Sequence, residues 1–297
     1  MSAPAASIVV CTRNRAKRLP ACLDAIAAIR CPTPWELVVV DNGSTDETPE
    51  ELARYEESFP VPVVVVDEPV PGVARARNRG WETASGAVVV FTDDDCYPAE
   101  DLLARYLRRF DDEPSVAFVA GSVVLHDPED ARVTTVTRPA VWRVRPGTFI
   151  TPGEIVTANL AVRRDILERV GGFDELFAYG AEGLAGSDLD LVARISAADQ
   201  GVFDPDIVVR HHHGRRDPED VLATRRSYDR GRGAFYAKCV LDRRLRRTYV
   251  RGWLALTGGR VRRRESLRPV LRELRGALAY VGLRVRSRLA SSGSVAP

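Results

Sequence analysis

Three consecutive carboxylates, Asp93-Asp94-Asp95, stand directly after the apolar run Ala87–Phe91. Side by side at the end of a buried strand, they raise one another's pKa unless a cation or a set of donors neutralises them. Carboxylate oxygens suit magnesium or manganese, and such ions at nucleotide sites keep open positions for phosphate oxygens. The other reading of this cluster is an acidic helix N-terminus steadied by the macrodipole. A second feature is His211-His212-His213, in a chain with one further histidine, His126. At strand spacing His211 and His213 face one way and His212 the other, so the triplet offers either a metal ligand or a solvated loop. A third is Gly186-Ser187-Asp188-Leu189-Asp190-Leu191. A carboxylate opening a helix is either an N-cap or, with a near-neutral pKa and reach to an acceptor, a general base. The arginines of Gly72–Gly80 (GVARARNRG) are placed either to bind phosphate or to lie in solvent. Neither GxGxxG after the first strand nor GxxxxGK[ST] occurs, which takes most of the support from dinucleotide-binding Rossmann and P-loop readings.

The elements that must position these residues alternate through the first hundred positions. Apolar runs predict strands at Ser7–Cys11, Leu37–Val40, Val61–Val66 and Ala87–Phe91. Helical spacing predicts helices over Leu19–Ile29, from a Ser44/Glu47 capping box to about Glu57, over Val73–Ala84 and over Asp101–Phe110. Strand–helix alternation with nearly continuous apolar strands implies a mostly parallel sheet covered on both faces. Its strand C-termini share one edge, and ligands bind along it. The residues that follow the strands there are Thr12–Arg15, Asp41-Asn42, Asp67-Glu68 and Thr92–Asp95. Further on, strands are predicted at Val116–Val124, Val133–Val136, Ile155–Val162 and Ile207–Val209, and helices at Arg164–Val170 (closed by Gly171-Gly172) and Ser187–Ala197. From Pro218 the pattern is helical, and the last eight residues read as a disordered tail.

The 297 residues suffice for a large core, with 45% hydrophobic and 28% charged residues. The net charge of +2 conceals an uneven distribution. Lys238–Arg288 holds 16 basic and 3 acidic residues, so the rest of the chain is acidic. The five cysteines, an odd number without CxxC spacing, argue against a disulfide framework or a zinc knuckle and for a reducing cytosol. Met1–Ala6 has no basic n-region or long apolar stretch, so no signal peptide is expected, and no apolar run reaches membrane-spanning length.

Taken in order, SIVVCTRNR (7–15), LVVVDNGSTDET (37–48), GVARARNRG (72–80), VVVFTDDDCYP (88–98), TANLAVRRDILERVGGFDE (157–175), GSDLDLVARI (186–195) and VVRHHH (208–213) resemble the family 2 glycosyltransferases. The resemblance implies a GT-A fold, a Rossmann-like α/β domain over 1–215, followed by a helical Arg-rich extension over 216–297. It also implies sugar transfer, with inversion, from a nucleotide-diphosphate donor (UDP-, GDP- or dTDP-linked) to a hydroxyl acceptor on a polysaccharide, lipid-linked or natural-product glycan. By the same resemblance Thr12, Arg13 and Asp41 would bind the nucleotide, Arg75 and Asn78 would hold the nucleotide side of the donor, Asp93 would face the ribose or sugar, and Asp94 would join the nucleotide-sugar site. Asp93-Asp94-Asp95 would be the DxD motif, with Asp95 and His211 on a Mn²⁺ or Mg²⁺ ion. Asp188 would be the general base. The family has Glu before this aspartate where this chain has Ser187, which leaves Asp190 and Glu182, with Asn159, as further acceptor-side candidates. Two other function classes are weighed against this one. A nucleotidyltransferase would want a glycine-rich phosphate loop where Thr12–Arg15 has none. A non-catalytic sugar-nucleotide-binding partner finds its support in Ser187.

The basic tail carries an apolar stripe, Leu267, Val270, Leu271, Leu274, Leu278 and Val281, with Arg268, Arg272 and Arg275 beside it. It reads either as a helix lying on an anionic membrane surface or as one packed on the catalytic domain. A cytoplasmic protein, peripheral on the inner face of the membrane, fits the first. No nucleic-acid-binding module is present, so a nucleic-acid partner is not expected.

Overall fold

The computed structural model describes residues 3–177 and 184–293. Four strands open it: β1 (Ala6–Thr12), β2 (Trp35–Asp41), β3 (Val63–Asp67) and β4 (Val88–Asp93). They pair in parallel in the order β3-β2-β1-β4. Helices α1 (Leu19–Ala27), α2 (Thr48–Ser58) and α3 (Val73–Thr83) make the crossovers. Every residue of β2 is buried, as a Val-rich central strand requires. The register sets Thr12 beside Asp41, Asp41 beside Asp67 and Cys11 beside Asp93, so the polar strand ends share one edge.

Beyond β4 the sheet becomes mixed. Short β5 (Cys96–Pro98) precedes α4 (Leu102–Asp112), β6 (Val116–Leu125) and β7 (Trp142–Val144). Next come a 3₁₀ turn (Thr157–Asn159), β8 (Leu160–Arg163), α5 (Arg164–Val170), α6 (Ser187–Ser196) and β9 (Gln200–His211). β8 lies antiparallel between β4 and β6, and β9 runs parallel to β6. β5 pairs antiparallel with β9 and sets Cys96 opposite His211. This last ladder brings the Asp93–Asp95 turn to the histidine triplet.

Several predicted elements differ from those observed. The Ser44/Glu47 capping box does not form: Asp46 accepts from the Thr48 N–H, while the Ser44 hydroxyl accepts from the Asn14 N–H and braces the β1 loop. Val133–Val136 supplies one bridge, from Val136 to Val123, and no strand. The strand expected over Ile155–Val162 begins only at Leu160, because Asn159 turns inward. Its side chain accepts from the Tyr106 hydroxyl at 2.6 Å and donates to the Ser122 and Ile207 carbonyls at 2.9 Å. The short run Ile207–Val209 is the end of the twelve-residue β9. Asp204-Pro205-Asp206 masks the continuity by forming a bulge in which the ladder shifts register, with Asp204 tied to Arg109. α5 ends, as read from sequence, at Gly171 with φ 74°.

The C-terminal part is three helices, α7 (Pro218–Leu241), α8 (Arg246–Arg262) and α9 (Arg268–Gly293). They share a second apolar cluster, including Phe235, Tyr249 and Tyr280, with Leu189 and Ala193 of α6. α7 and α9 cross at Gly233 and Gly276, where an added Cβ would collide with the carbonyls of Glu273 and Arg230. α9 continues through four of the eight residues expected as a disordered tail, and 294–297 lie outside the described residues. Among the described residues no helix is long and apolar enough to cross a membrane.

Candidate active site

A cleft of about 640 Å³ opens at the shared strand-end edge. Its walls come from the loops after β1, β2 and β4, the start of α6, the end of β9 and the middle of α7. All three carboxylates of the Asp93–Asp95 turn line it, each differently held. Asp93 accepts from Arg77 at 3.0 Å. Asp94 accepts from the Thr12 hydroxyl at 2.8 Å, and Arg15 stands 3.5 Å away. Burial pushes the Asp94 carboxyl up to about 6 although the Arg15 guanidinium pulls it down. Asp95 meets His211, Oδ1 to Nε2, at 3.0 Å.

Burial alone would raise Asp95 and lower His211, but their mutual hydrogen bond and charge outweigh it, so Asp95 lies below its usual range and His211 above. The Thr134 hydroxyl, 2.9 Å from His211 Nδ1, fixes the ring from its other side. A carboxylate oxygen and an imidazole nitrogen suit manganese or magnesium, and their separation matches that of adjacent ligands on an octahedral ion with bonds of about 2.1 Å, about 3 Å. The donor pair therefore fits a divalent cation. Cys96 Sγ also lies within 4.8 Å of both donors, but burial holds its thiol protonated and it suits no hard ion. The triplet alternates as its spacing requires: the rings of His211 and His213 are 5.2 Å apart, while His212 packs on Tyr97 and His126. Buried His213 accepts from the Arg215 N–H and bonds the Ala131 carbonyl, so it serves the loop.

Asp188 also lines the cleft, half-buried in the first turn of α6. It does not cap the helix, because the N-cap is Gly186. Burial raises its carboxyl above the usual range, with Arg77 opposing. Such a group binds and releases protons nearer neutrality than an exposed aspartate.

Asp190 points the other way. It is fully buried, 2.8 Å from Arg194 and 2.7 Å from Lys238, and it joins α6 to α7. Its charge is spent on structure, which removes it as an acceptor-side group. Asp190→Ala leaves Arg194 without a carboxylate and Lys238 with Asp174 alone, and should destabilise the fold by about 3–5 kcal/mol in urea unfolding. A loss below about 1 kcal/mol would contradict that role.

Among the other sequence candidates, Thr12 and exposed Arg13 line the cleft. Asp41 does not, and instead accepts from the Ser44 N–H; the neighbouring Asn42 faces the cleft. Arg75 pairs with Glu175 at 2.6 Å outside the lining. Asn78 exchanges hydrogen bonds with the Phe173 backbone, tying α3 to the Gly171–Phe173 turn. Asn159 is the buried strut described above. Glu182 lies outside the described residues. Arg215 and Arg232 line the cleft without having been singled out from the sequence, and Arg15 and Arg77 were read there only as members of their segments. Arg77 bridges Asp93 and the Ser187 hydroxyl, at 3.2 Å, and so uses the residue that departs from the family pattern. Arg15 attends the carboxylates from β1, and Arg215 follows the histidines. Among the described residues no carboxylate is within salt-bridge distance of Arg215. The available signal was Arg77 one turn from Val73 on a helix opening at the ligand-binding edge.

The chain is 29% identical over 182 residues to glycosyltransferase AglE of Haloferax volcanii, which covers 60% of this chain and 59% of that one. It is 38% identical over 127 residues to a PGL/p-HBAD biosynthesis glycosyltransferase of Mycobacterium bovis, covering 42% of this chain and 49% of the relative. It thus spans roughly half the length of these curated relatives. In three dimensions it resembles the mannosyltransferase PcManGT from Pyrobaculum calidifontis, solved with GDP-Man and Mn²⁺. The TM-score is 0.63 at 23% identity, over 99% of this chain and 80% of that one. That likeness shows the shared GT-A fold. The family model described as glycosyl transferase family 2 matches residues 7–171, more than half of the chain, and takes in the loops after β1, β2 and β4 that build the cleft; the chain belongs to that family.

Proposed function

We propose that the chain is an inverting, metal-dependent glycosyltransferase that moves a sugar from a UDP-, GDP- or dTDP-linked donor to a hydroxyl acceptor. One observation carries the reading: Asp95 and His211, remote in sequence, meet at 3.0 Å in the cleft that also holds Asp188 with its raised pKa. Asp95 and His211 would hold a manganese or magnesium ion. When bound, that ion offsets charge growing on the departing diphosphate. The structural neighbour bound to GDP-Man and Mn²⁺ supports both donor class and metal.

The chain's own groups do the rest. Thr12 and Arg13 line the nucleotide side, and Arg215 offers its guanidinium to the diphosphate. Arg77 is a positioning residue that holds Asp93 and Ser187 and so fixes the turn carrying Asp188. Asp188 takes the proton from the acceptor hydroxyl. The acceptor oxygen bonds to the anomeric carbon on the face opposite the diphosphate. The anomeric C–O bond breaks, its electron pair leaves with the nucleoside diphosphate, and configuration inverts.

A thermal-shift screen of nucleotide sugars tests this reading. At least one nucleotide sugar should raise the melting temperature with manganese and fail to do so after chelation. Arg215→Ala should weaken that donor about ten- to a hundredfold, the value of hydrogen bonds to a charged group. No shift with any nucleotide sugar in manganese would refute the proposal.

A further inference from the structure

The two sides of α9 differ in chemistry. Glu273, Gly276 and Tyr280 face inward and are buried against the neighbouring helices. On the other side Leu271, Leu274, Leu278, Val281 and Val285, together with Leu267 just before the helix, recur at intervals of four and three. All are between 44 and 74% exposed. An apolar row of this length, on one helix, is what a soluble surface normally avoids. At helical spacing Arg268, Arg275 and Arg286 fall along one flank of the row, and all three are exposed. The acid nearest to hand, Glu273, is turned inward, where it bonds Arg232 at 3.0 Å and Trp253 at 2.9 Å.

We infer that the outward face of α9 is a docking surface for an anionic lipid bilayer. The apolar row would sink into the acyl boundary and the flanking arginines would meet lipid phosphates. Charge selects this occupant over a second copy of the chain. In a helix pair the residues flanking an apolar seam are complementary acids and bases, whereas here the flank is basic and no acid on the outward face of α9 can answer it. The helix lies on the membrane rather than through it, because it is not apolar enough to cross. Its inward face connects to the cleft through α7. Arg232, bonded to Glu273, lines that cleft from α7, so docking would fix the cleft's orientation to the bilayer. A membrane-borne acceptor hydroxyl is the consequence for sugar transfer, and only that consequence rests on the transferase reading above.

The test is co-sedimentation of the full chain with vesicles, without donor, so that its outcome is independent of transferase activity. Binding is expected to equimolar phosphatidylcholine and phosphatidylglycerol, to be much weaker to phosphatidylcholine alone, and to fall with salt. Arg268→Gln with Arg275→Gln should weaken it about thirtyfold, at the typical contribution per basic residue. Leu271→Asp with Leu278→Asp should abolish it, while circular dichroism and melting temperature stay those of the parent, since both side chains are exposed. Equal binding to both vesicle types, or binding unchanged in both double variants, would overturn the inference. So would a concentration-dependent dimer, seen by sedimentation equilibrium, that Leu271→Asp and Leu278→Asp dissolve.

Discussion

Asp188→Asn should lower kcat by about 10²–10⁴-fold, the usual worth of general-base assistance, while donor affinity changes little. The amide keeps the shape of the side chain, and with it the bond from the Leu189 N–H, but cannot accept the acceptor's proton. The pH profile supplies a second readout. A carboxylate acts as base only when ionised, and burial displaces the Asp188 pKa upward. Activity should therefore rise with pH across a limb lying above the ordinary aspartate range, as Asp188 loses its proton, and the Asn variant should lack that limb. An unchanged kcat, or a limb surviving in the variant, would take Asp188 out of the role.

Asp95→Ala and His211→Ala should each abolish manganese-dependent donor binding, because a divalent ion loses one of two protein ligands and the diphosphate loses its counter-charge. Isothermal titration with manganese and the nucleotide sugar reads both steps. His211→Ala is the more telling variant, because it removes a ligand while leaving all three carboxylates of the turn in place. Donor binding that ignores chelation in the parent protein, or survives in both variants, would show that the pair is only a buried salt bridge. Neither substitution should imitate Asp190→Ala, which acts on stability through Lys238 and Arg194.

The contrast between Asp188 and Asp190 marks the limit of what the sequence determines. Period and strand composition determined the parallel half of the sheet, from Val-rich β1, β2 and β4, because burial on both faces leaves an unbroken apolar run. Once those strands are parallel their C-termini must share an edge, so Thr12, Asn42 and Asp93–Asp95 were bound to converge before any coordinates were known. The resemblance to the family added roles for the matching positions. Two carboxylates two residues apart on a helix, by contrast, point about 200° apart, and sequence does not say which side is the cleft. The tertiary packing of α6 on α7 decided it, turning Asp190 onto Lys238 and leaving Asp188 open.

The pairings that cross long stretches of chain were likewise decided only in three dimensions. Residues after β4 come to His211 through β5, a three-residue strand too short to show periodicity. β9 reads as a fragment because Asp204-Pro205-Asp206 breaks its pattern, although the bulge lets the ladder resume. Arg77 and Arg215 look like any solvated arginine until the folded chain sets carboxylates or open cleft around them. The amphipathic character of α9 was present in its sequence as period alone. That the apolar side faces outward was set by Gly233 and Gly276, whose missing side chains let α7 and α9 approach on the opposite face. Local period tells how residues group on one element; which group is buried depends on the free energy of packing against partners that are distant in sequence.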